Sequence, residues 1–145
     1  YKGGLVDMKL QNNLSFLLNR AQQSVTQTFK ERLAPYDITP AQYTVLKCLW
    51  DNNGLAPKQL AIMLGLDSPA ITGVLDRLEN KELVIRKPDA NDRRALQVFL
   101  TEKAMTLEKP IEDIIEKSDA YVLRNFSEQE AQEFKSMLAK STFTS

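Results

Sequence analysis

Apolar residues recur every three or four positions along most of the chain, which is the spacing of one face of an α-helix. The first such stretch predicts a helix over residues 9 to 34, with a stripe made of Leu10, Leu14, Leu18, Ala21, Val25 and Phe29. A second helix is predicted to open at Thr39 and Pro40, because Thr39 and Gln42 have the spacing of a capping box, and to stop at Asn53 and Gly54. A long amphipathic helix thus precedes a short one with clear ends.

Two further short helices are separated by Gly65, Leu66 and Asp67. The third begins near Pro57, and the fourth runs from residue 68 to about residue 81. On a wheel at 100° per residue, the fourth helix has an apolar face, formed by Ile71, Val74, Leu75 and Leu78. Its opposite face is small and polar, with Thr72 and Arg77 at the margins of a surface formed by Pro69, Gly73, Asp76 and Asn80.

The pattern then changes to strands. Segments at residues 83 to 87 and 96 to 100 flank a turn rich in Pro, Asp and Asn, and in the second segment Leu96, Val98 and Leu100 alternate with other residues. Arg93 and Arg94 lie at the tip of this predicted hairpin. Cations on a protruding β-ribbon suit a narrow electronegative groove such as the minor groove of DNA.

Helical periodicity returns after Thr101 and continues to about residue 125, and Pro110 inside it predicts a bend or a restart. Ser127 and Glu130 form a second capping box. They open a last helix whose inner face consists of Ala131, Phe134 and Leu138.

These elements predict a mainly α-helical fold with a small β-hairpin. Two short helices joined by a glycine-containing turn and followed by a hairpin match a winged helix-turn-helix, whose second helix enters the major groove. The first and the last two helices offer more apolar surface than such a unit needs. Homodimerisation would cover this surface. The alternative is that these helices fold back into a monomeric core.

Charge is balanced overall, with 19 Lys and Arg against 19 Asp and Glu, although DNA-binding domains usually carry a basic surplus. The distribution is uneven. Residues 84 to 101 carry four cations and two anions, a surplus of two, whereas residues 105 to 145 carry five cations and eight anions. The positive charge is therefore concentrated on the hairpin.

The composition narrows the possible chemistry. Histidine is absent and Cys48 is the single cysteine, which argues against a Cys/His zinc site, an intrachain disulfide and a histidine-dependent catalytic triad. No apolar run approaches the roughly 20 residues that span a bilayer, and no signal-peptide pattern is found. We therefore expect a cytoplasmic protein that is not an enzyme and has no metal, no cofactor and no membrane association.

The strings ITPAQYTVLKCLW, QLAIMLGLDSPAITGVLDRLENKELVIR and DRRALQVFLT resemble the MarR family of bacterial transcription regulators. In that family the hairpin ends in Asp, any residue, Arg, a short apolar strand and Leu-Thr, places held here by Asp92, Arg94, Leu100 and Thr101. Glu82 and Ala104 depart from the pattern, because Gly is frequent at both. The resemblance implies one MarR-like domain over residues 1–145, with a winged helix-turn-helix at 39–101 and dimerisation helices at 5–38 and 102–145.

The resemblance also implies a homodimer that binds a pseudo-palindromic operator in double-stranded DNA, as a repressor released by a small phenolic or carboxylic aromatic effector. We expect Arg94 to enter the minor groove and Asp92 to support the hairpin tip. Asp76 would oppose binding unless it accepts from a cytosine or pairs with Arg77. Other expected DNA contacts are Ser68, Pro69, Thr72, Gly73, Arg77, Arg86, Lys87 and Arg93.

An effector site is expected beside the first helix, where Arg20 could hold a carboxylate while aromatic rings cover the rest of the ligand. Its candidate residues are Asn13, Phe16, Arg20, Ser24, Tyr36, Tyr43 and Trp50. The alternatives are that Tyr43 and Trp50 belong to the core and that Arg20 forms an intersubunit salt bridge.

Two other functions stay open. Some MarR relatives sense peroxides through a thiol near the start of the first helix, where this sequence has none, so a redox response would have to use Cys48. A winged helix that binds protein instead of DNA is also compatible with zero net charge.

Overall fold

The computed structural model describes residues 9–141. The helices and strands are α1 (Leu14–Leu33), α2 (Pro40–Asp51), α3 (Pro57–Leu64), α4 (Ser68–Asn80), β1 (Val84–Pro88), β2 (Leu96–Leu100), α5 (Glu102–Val122) and α6 (Glu128–Ser141). The predicted mainly helical fold with a β-hairpin is confirmed. None of the described helices is long and apolar enough to cross a membrane. Residues 5–8 and 142–145 of the predicted dimerisation helices lie outside the described range.

The chain forms two compact units. The larger is Phe29–Ile114, and the smaller joins the N-terminal part of the chain up to Thr28 to the part from Ile115 onward. The larger unit extends beyond the predicted winged unit at 39–101 on both sides. It does so because Leu33 and Ile38 before that segment, and Ala104 and Ile111 after it, are buried.

Capping side chains define the helix starts that the sequence predicts. The backbone N of Gln42 donates to Oγ1 of Thr39 at 3.1 Å, and the backbone N of Thr39 donates to Oε1 of Gln42 at 3.2 Å. Ser127 and Glu130 form the same reciprocal pair at 2.9 and 3.1 Å. Both capping boxes are confirmed, and each satisfies two backbone donors that a helix start leaves unpaired.

Two predictions about the long helices are corrected. The first helix is not continuous over 9 to 34, because a break at Asn13 precedes α1, and Oδ1 of Asn13 accepts from the backbone N of Phe16 at 2.9 Å. Asparagine is a strong N-cap, so it starts a new helix at Leu14. Of the two outcomes predicted at Pro110, the restart is wrong, because α5 continues from Glu102 to Val122, while the bend stays a prediction.

The core of the Phe29–Ile114 unit is apolar and lies between α2, α3, α4 and the hairpin. The predicted inner face of α4 is confirmed, since Ile71, Val74, Leu75 and Leu78 are all buried. Burial of such side chains contributes about 1.5–3 kcal/mol each. This apolar contact therefore determines which side of α4 faces outward.

Both short helices of the helix-turn-helix end in Schellman motifs, in which a left-handed residue closes the last turn. After α3 that residue is Gly65, with φ of 66°, and the backbone N of Leu66 donates to O of Ala61 at 2.9 Å. After α4 the residue is Glu82, with φ of 61°, and the backbone N of Leu83 donates to O of Leu78 at 2.9 Å. Glu82 stands where the family resemblance leads us to expect Gly, and a side chain is strained in this conformation.

We call β1, β2 and the turn between them the wing. Its strands are antiparallel, with Val84 opposite Leu100 and Arg86 opposite Val98. Val98 and Leu100 are buried as the alternation predicts, but Leu96, next to the turn, is 43% exposed. The strand prediction is thus correct over its whole length, and only the outer end of β2 has no core beneath it.

The base of the wing is held by the segment after α2 and by Thr101. Leu55 forms an isolated antiparallel bridge with Val98, and Oδ1 of Asn53 accepts from the backbone N of Leu100 at 2.9 Å. Oγ1 of Thr101 donates to O of Glu82 at 2.7 Å and accepts from the backbone N of Ala104 at 3.2 Å. The Leu-Thr ending of the signature therefore joins the wing to the end of α4 and to the start of α5.

The smaller unit leaves much apolar surface exposed. Its predicted inner positions on α1 and α6 are not buried within the single chain: Leu14 is 70% exposed, Leu18 42% and Leu138 37%. The rings of Phe126 and Phe134 pack with 5.3 Å between their centroids. The apolar stripes that the sequence predicts are therefore present, but the chain does not cover them by itself.

We expect Glu82→Gly to stabilise the protein. In the folded protein, a left-handed conformation costs a residue with a side chain about 1–2 kcal/mol, and Gly removes this strain. Gly also makes the unfolded chain more flexible, which lowers the stability of the folded protein by about 0.4–1 kcal/mol. The difference is a net gain of up to about 1.5 kcal/mol in the free energy of unfolding, measured by urea denaturation. Glu82→Gln keeps the Cβ and is the control. A Gly variant no more stable than the Gln variant would contradict the assignment of strain to Glu82.

Candidate nucleic-acid interface

The outward face of α4 is small and polar. Ser68, Pro69, Thr72 and Arg77 are exposed, and Gly73 is half-buried. A Cβ on Gly73 would lie 3.4 Å from Nη1 of Arg77, so the guanidinium of Arg77 lies close over the glycine. The start of this helix is already capped: Pro69 has no N–H, the backbone N of Ala70 donates to Oδ1 of Asp67 at 2.8 Å, and the backbone N of Ile71 donates to O of Asp67 at 3.1 Å.

The wing tip is held by local hydrogen bonds. The backbone N of Asp89 donates to O of Ala95 at 2.8 Å, and the backbone N of Ala95 donates to O of Asp92 at 3.0 Å. Oδ1 of Asp92 accepts from the backbone N of Arg94 at 3.0 Å and lies 3.5 Å from its Nε. The side chain of Arg94 is 95% exposed. Asp92 has the geometry that a supporting role requires, and the Arg94 side chain is exposed at the tip.

Arg86 lies between the wing and α4. Its Nη2 is 2.7 Å from Oδ1 of Asp76, and its Nε is 2.7 Å from Oε2 of Glu79. Asp76 therefore pairs with Arg86 and not with Arg77, the partner considered from the sequence. These two carboxylates raise the pKa of Arg86, Glu79 more than Asp76. A phosphate contact by Arg86 stays a prediction, although Nε and Nη2, which form one edge of its guanidinium, already bond two carboxylates.

Lys87, the next residue of β1, has a different environment. It is exposed, and its Nζ lies 5.6 Å from the centroid of the Phe99 ring.

Gly54 also lies against the wing. A Cβ on Gly54 would be 3.0 Å from the Phe99 ring, and Gly54 has φ of 89°. Glycine is thus required where the chain passes beneath the wing. Arg93 is exposed beside Arg94 at the tip.

The effector candidates fall into two groups. On or beside α1, the guanidinium of Arg20 lies 5.8 Å from the centroid of the Phe16 ring, while the side chain of Asn13 caps the helix. Ser24 is exposed on the same helix, and its carbonyl oxygen accepts from Oγ1 of Thr28 at 3.0 Å. Their part in ligand binding stays a prediction.

The other group lies in the Phe29–Ile114 unit. Nε1 of Trp50 donates to O of Ala104 at 3.0 Å, and the hydroxyl of Tyr43 donates to Oε1 of Glu112 at 3.3 Å. Both aromatic residues thus connect α2 to the first half of α5, which fits the structural alternative. Tyr36 lines a cleft of about 270 Å³ together with residues at the end of α4 and the start of α5.

Cys48 lies half-buried on α2. Burial raises the pKa of its thiol, and the charge of Asp51 raises it further. Because the thiolate is the reactive form, a raised pKa makes this cysteine a poor nucleophile at neutral pH.

A model of the MarR family matches residues 38–96 of the chain. The organic hydroperoxide resistance transcriptional regulator of Bacillus subtilis is 36% identical over 107 residues, which are 74% of this chain and 73% of that protein. The chain belongs to the MarR family of DNA-binding transcriptional regulators. The family predicted from the hairpin signature is confirmed, and with it the prediction that the protein is not an enzyme.

Solved structures of MarR-family proteins share the fold. A mutant MarR from E. coli complexed with operator DNA is 29% identical and has a TM-score of 0.82. The matched region is 88% of this chain and 91% of that protein's chain. CouR from Rhodococcus jostii bound to p-coumaroyl-CoA is 25% identical and has a TM-score of 0.80. Here the matched region is 94% of this chain and 98% of the CouR chain. The predicted winged helix-turn-helix is confirmed by this likeness.

The positioning roles of three residues were missed in the sequence. Oδ1 of Asp67 accepts from the backbone N of Ala70 at 2.8 Å and caps α4, which an Asp before Ser-Pro could have indicated. Asn53 and Glu79 act through contacts with the wing, 47 and 7 residues away. Such contacts depend on how the hairpin docks on the helices, and no local sequence pattern predicts them.

Proposed function

We propose that this MarR-family regulator reads its operator with α4 in the major groove and with Arg94 in the minor groove. We call α3, α4 and the wing of one chain its reading head. The observation that carries the proposal is the exposed Arg94 side chain on a tip held by Asp92. The wing base is fixed by Asn53, Leu55 and Thr101, so the cation is presented from an ordered support. A preorganised arginine loses less freedom on binding than one on a loose loop.

We also propose a homodimer formed through α1, α5 and α6. Exposed apolar side chains on these helices support it, since Leu14 on α1, Met105 on α5 and Met137 on α6 each leave half or more of their surface uncovered. A monomeric core would bury such residues. Two copies related by a two-fold axis would present two reading heads to a pseudo-palindromic operator.

We propose further that the protein is a repressor released by a small aromatic acid or phenol. The support is the likeness to CouR, which was solved with p-coumaroyl-CoA, and the presence of Arg20 beside Phe16 on α1. The likeness to a hydroperoxide resistance regulator favours a redox response instead. The raised pKa of Cys48 argues against that alternative.

Arg94→Ala is expected to weaken DNA binding by about 1–3 kcal/mol without changing thermal stability. The measurement is a fluorescence anisotropy titration at fixed salt, with a duplex that the parent protein selects from a random-sequence pool. Lys109→Ala, which removes an exposed cation of α5, is the control. Equal affinities of parent and Arg94→Ala would exclude the minor-groove role of the wing.

The dimer predicts a mass of twice 16.5 kDa in light scattering. Leu14→Glu should shift the protein toward monomer, because it places a charge on the proposed interface. A Glu in the first turn of α1 favours the helix itself, so loss of helix is not expected. Ile62→Glu, at a site of 72% exposure on α3, is the control. An unchanged mass for Leu14→Glu would argue against α1 as interface.

Benzoates and hydroxycinnamates are expected to weaken DNA binding by about 5- to 150-fold, the usual range of allosteric coupling. Arg20→Ala should bind DNA like the parent but respond less. Cumene hydroperoxide should have no effect, because the raised pKa of Cys48 lowers the fraction of the reactive thiolate. If peroxide alone releases the DNA and Cys48→Ser abolishes this, the redox alternative is correct.

A further inference from the structure

Arg86 connects two parts of the reading head that are separate in the chain. It belongs to β1, and its guanidinium bonds Asp76 and Glu79 of α4 at 2.7 Å each. The Arg86 side chain is 23% exposed, whereas the two carboxylates are 53% and 43% exposed. The cation is therefore the more buried partner and lies against the helix.

The charge of α4 explains why this contact matters for binding a polyanion. The helix carries two anions, Asp76 and Glu79, and one cation, Arg77, so its net charge is minus one. With Arg86 added, the balance is zero. Without it, two exposed carboxylates would face the phosphates of a bound duplex, and like charges in such an interface oppose binding.

We propose that Arg86 is a positioning residue that neutralises Asp76 and Glu79 and fixes the wing against α4, and that it does not contact a phosphate. The inference rests on the proposed DNA-reading function. Lys87 provides the contrast, because successive side chains of a strand point to opposite faces. It is exposed, with no carboxylate among the ion pairs described for residues 9–141.

A mutant cycle separates neutralisation from direct contact. The proteins are the parent, R86Q, D76N/E79Q and the triple variant, titrated with the duplex that the parent selects from a random pool. R86Q should raise Kd about 5- to 50-fold in the parent, because it leaves two half-exposed carboxylates without a partner opposite the phosphates. In the D76N/E79Q background the same change should raise Kd by less than about threefold, because no carboxylate is left to neutralise.

Salt dependence gives the second readout. R86Q should leave the slope of log K against log salt unchanged, whereas K87Q, the matched cation on β1, should reduce it by about one if Lys87 contacts a phosphate. R86K keeps the charge but lacks the paired Nε and Nη2 donors, and its affinity should fall between those of the parent and R86Q. R86K can replace R86Q in the mutant cycle if R86Q is too unstable to titrate.

An equal loss in both backgrounds, with a slope reduced by about one, would overturn the inference in favour of a phosphate contact. R86Q that binds like the parent would overturn it as well, while the DNA-reading function stands. If the parent protein selects no duplex from the random pool, both the inference and the proposed DNA-reading function are overturned.

Discussion

The burial of one face of α4 is the constraint on which the reading surface depends. Ile71, Val74, Leu75 and Leu78 lie in the core, so rotation of the helix would expose apolar surface at a cost of several kcal/mol. The polar side is thereby held outward. Every contact proposed for DNA on this helix follows from this orientation.

The wing depends on the same core through its base. Val98 and Leu100 are buried, and Thr101 bonds the end of α4 and the start of α5. The tip has no such support beneath it and relies on the carboxylates of Asp89 and Asp92, which accept from nearby backbone N–H groups. A firmly held base with a polar, exposed tip is suited to placing one cation in a groove.

Electrostatics in this protein are local. The net charge is zero, so DNA binding does not draw on an overall basic surplus. Pairing within the reading head decides which charges face outward: Arg86 is bonded to two carboxylates, while Arg94 is exposed. Counting the four cations of the hairpin treats these residues as equal, although their surroundings differ.

Local rules in the sequence determined most of the helices, both capping boxes, the inner face of α4 and the signature of the family, because capping and periodicity act over a few residues. They failed at Asn13, where a cap breaks the first helix. Only the tertiary structure decided which carboxylates Arg86 meets, how Asn53 holds the wing, and that Trp50 bonds a residue of α5. These contacts join separate elements, and their partners are set by the docking of whole elements on a shared core, which no short stretch of sequence specifies.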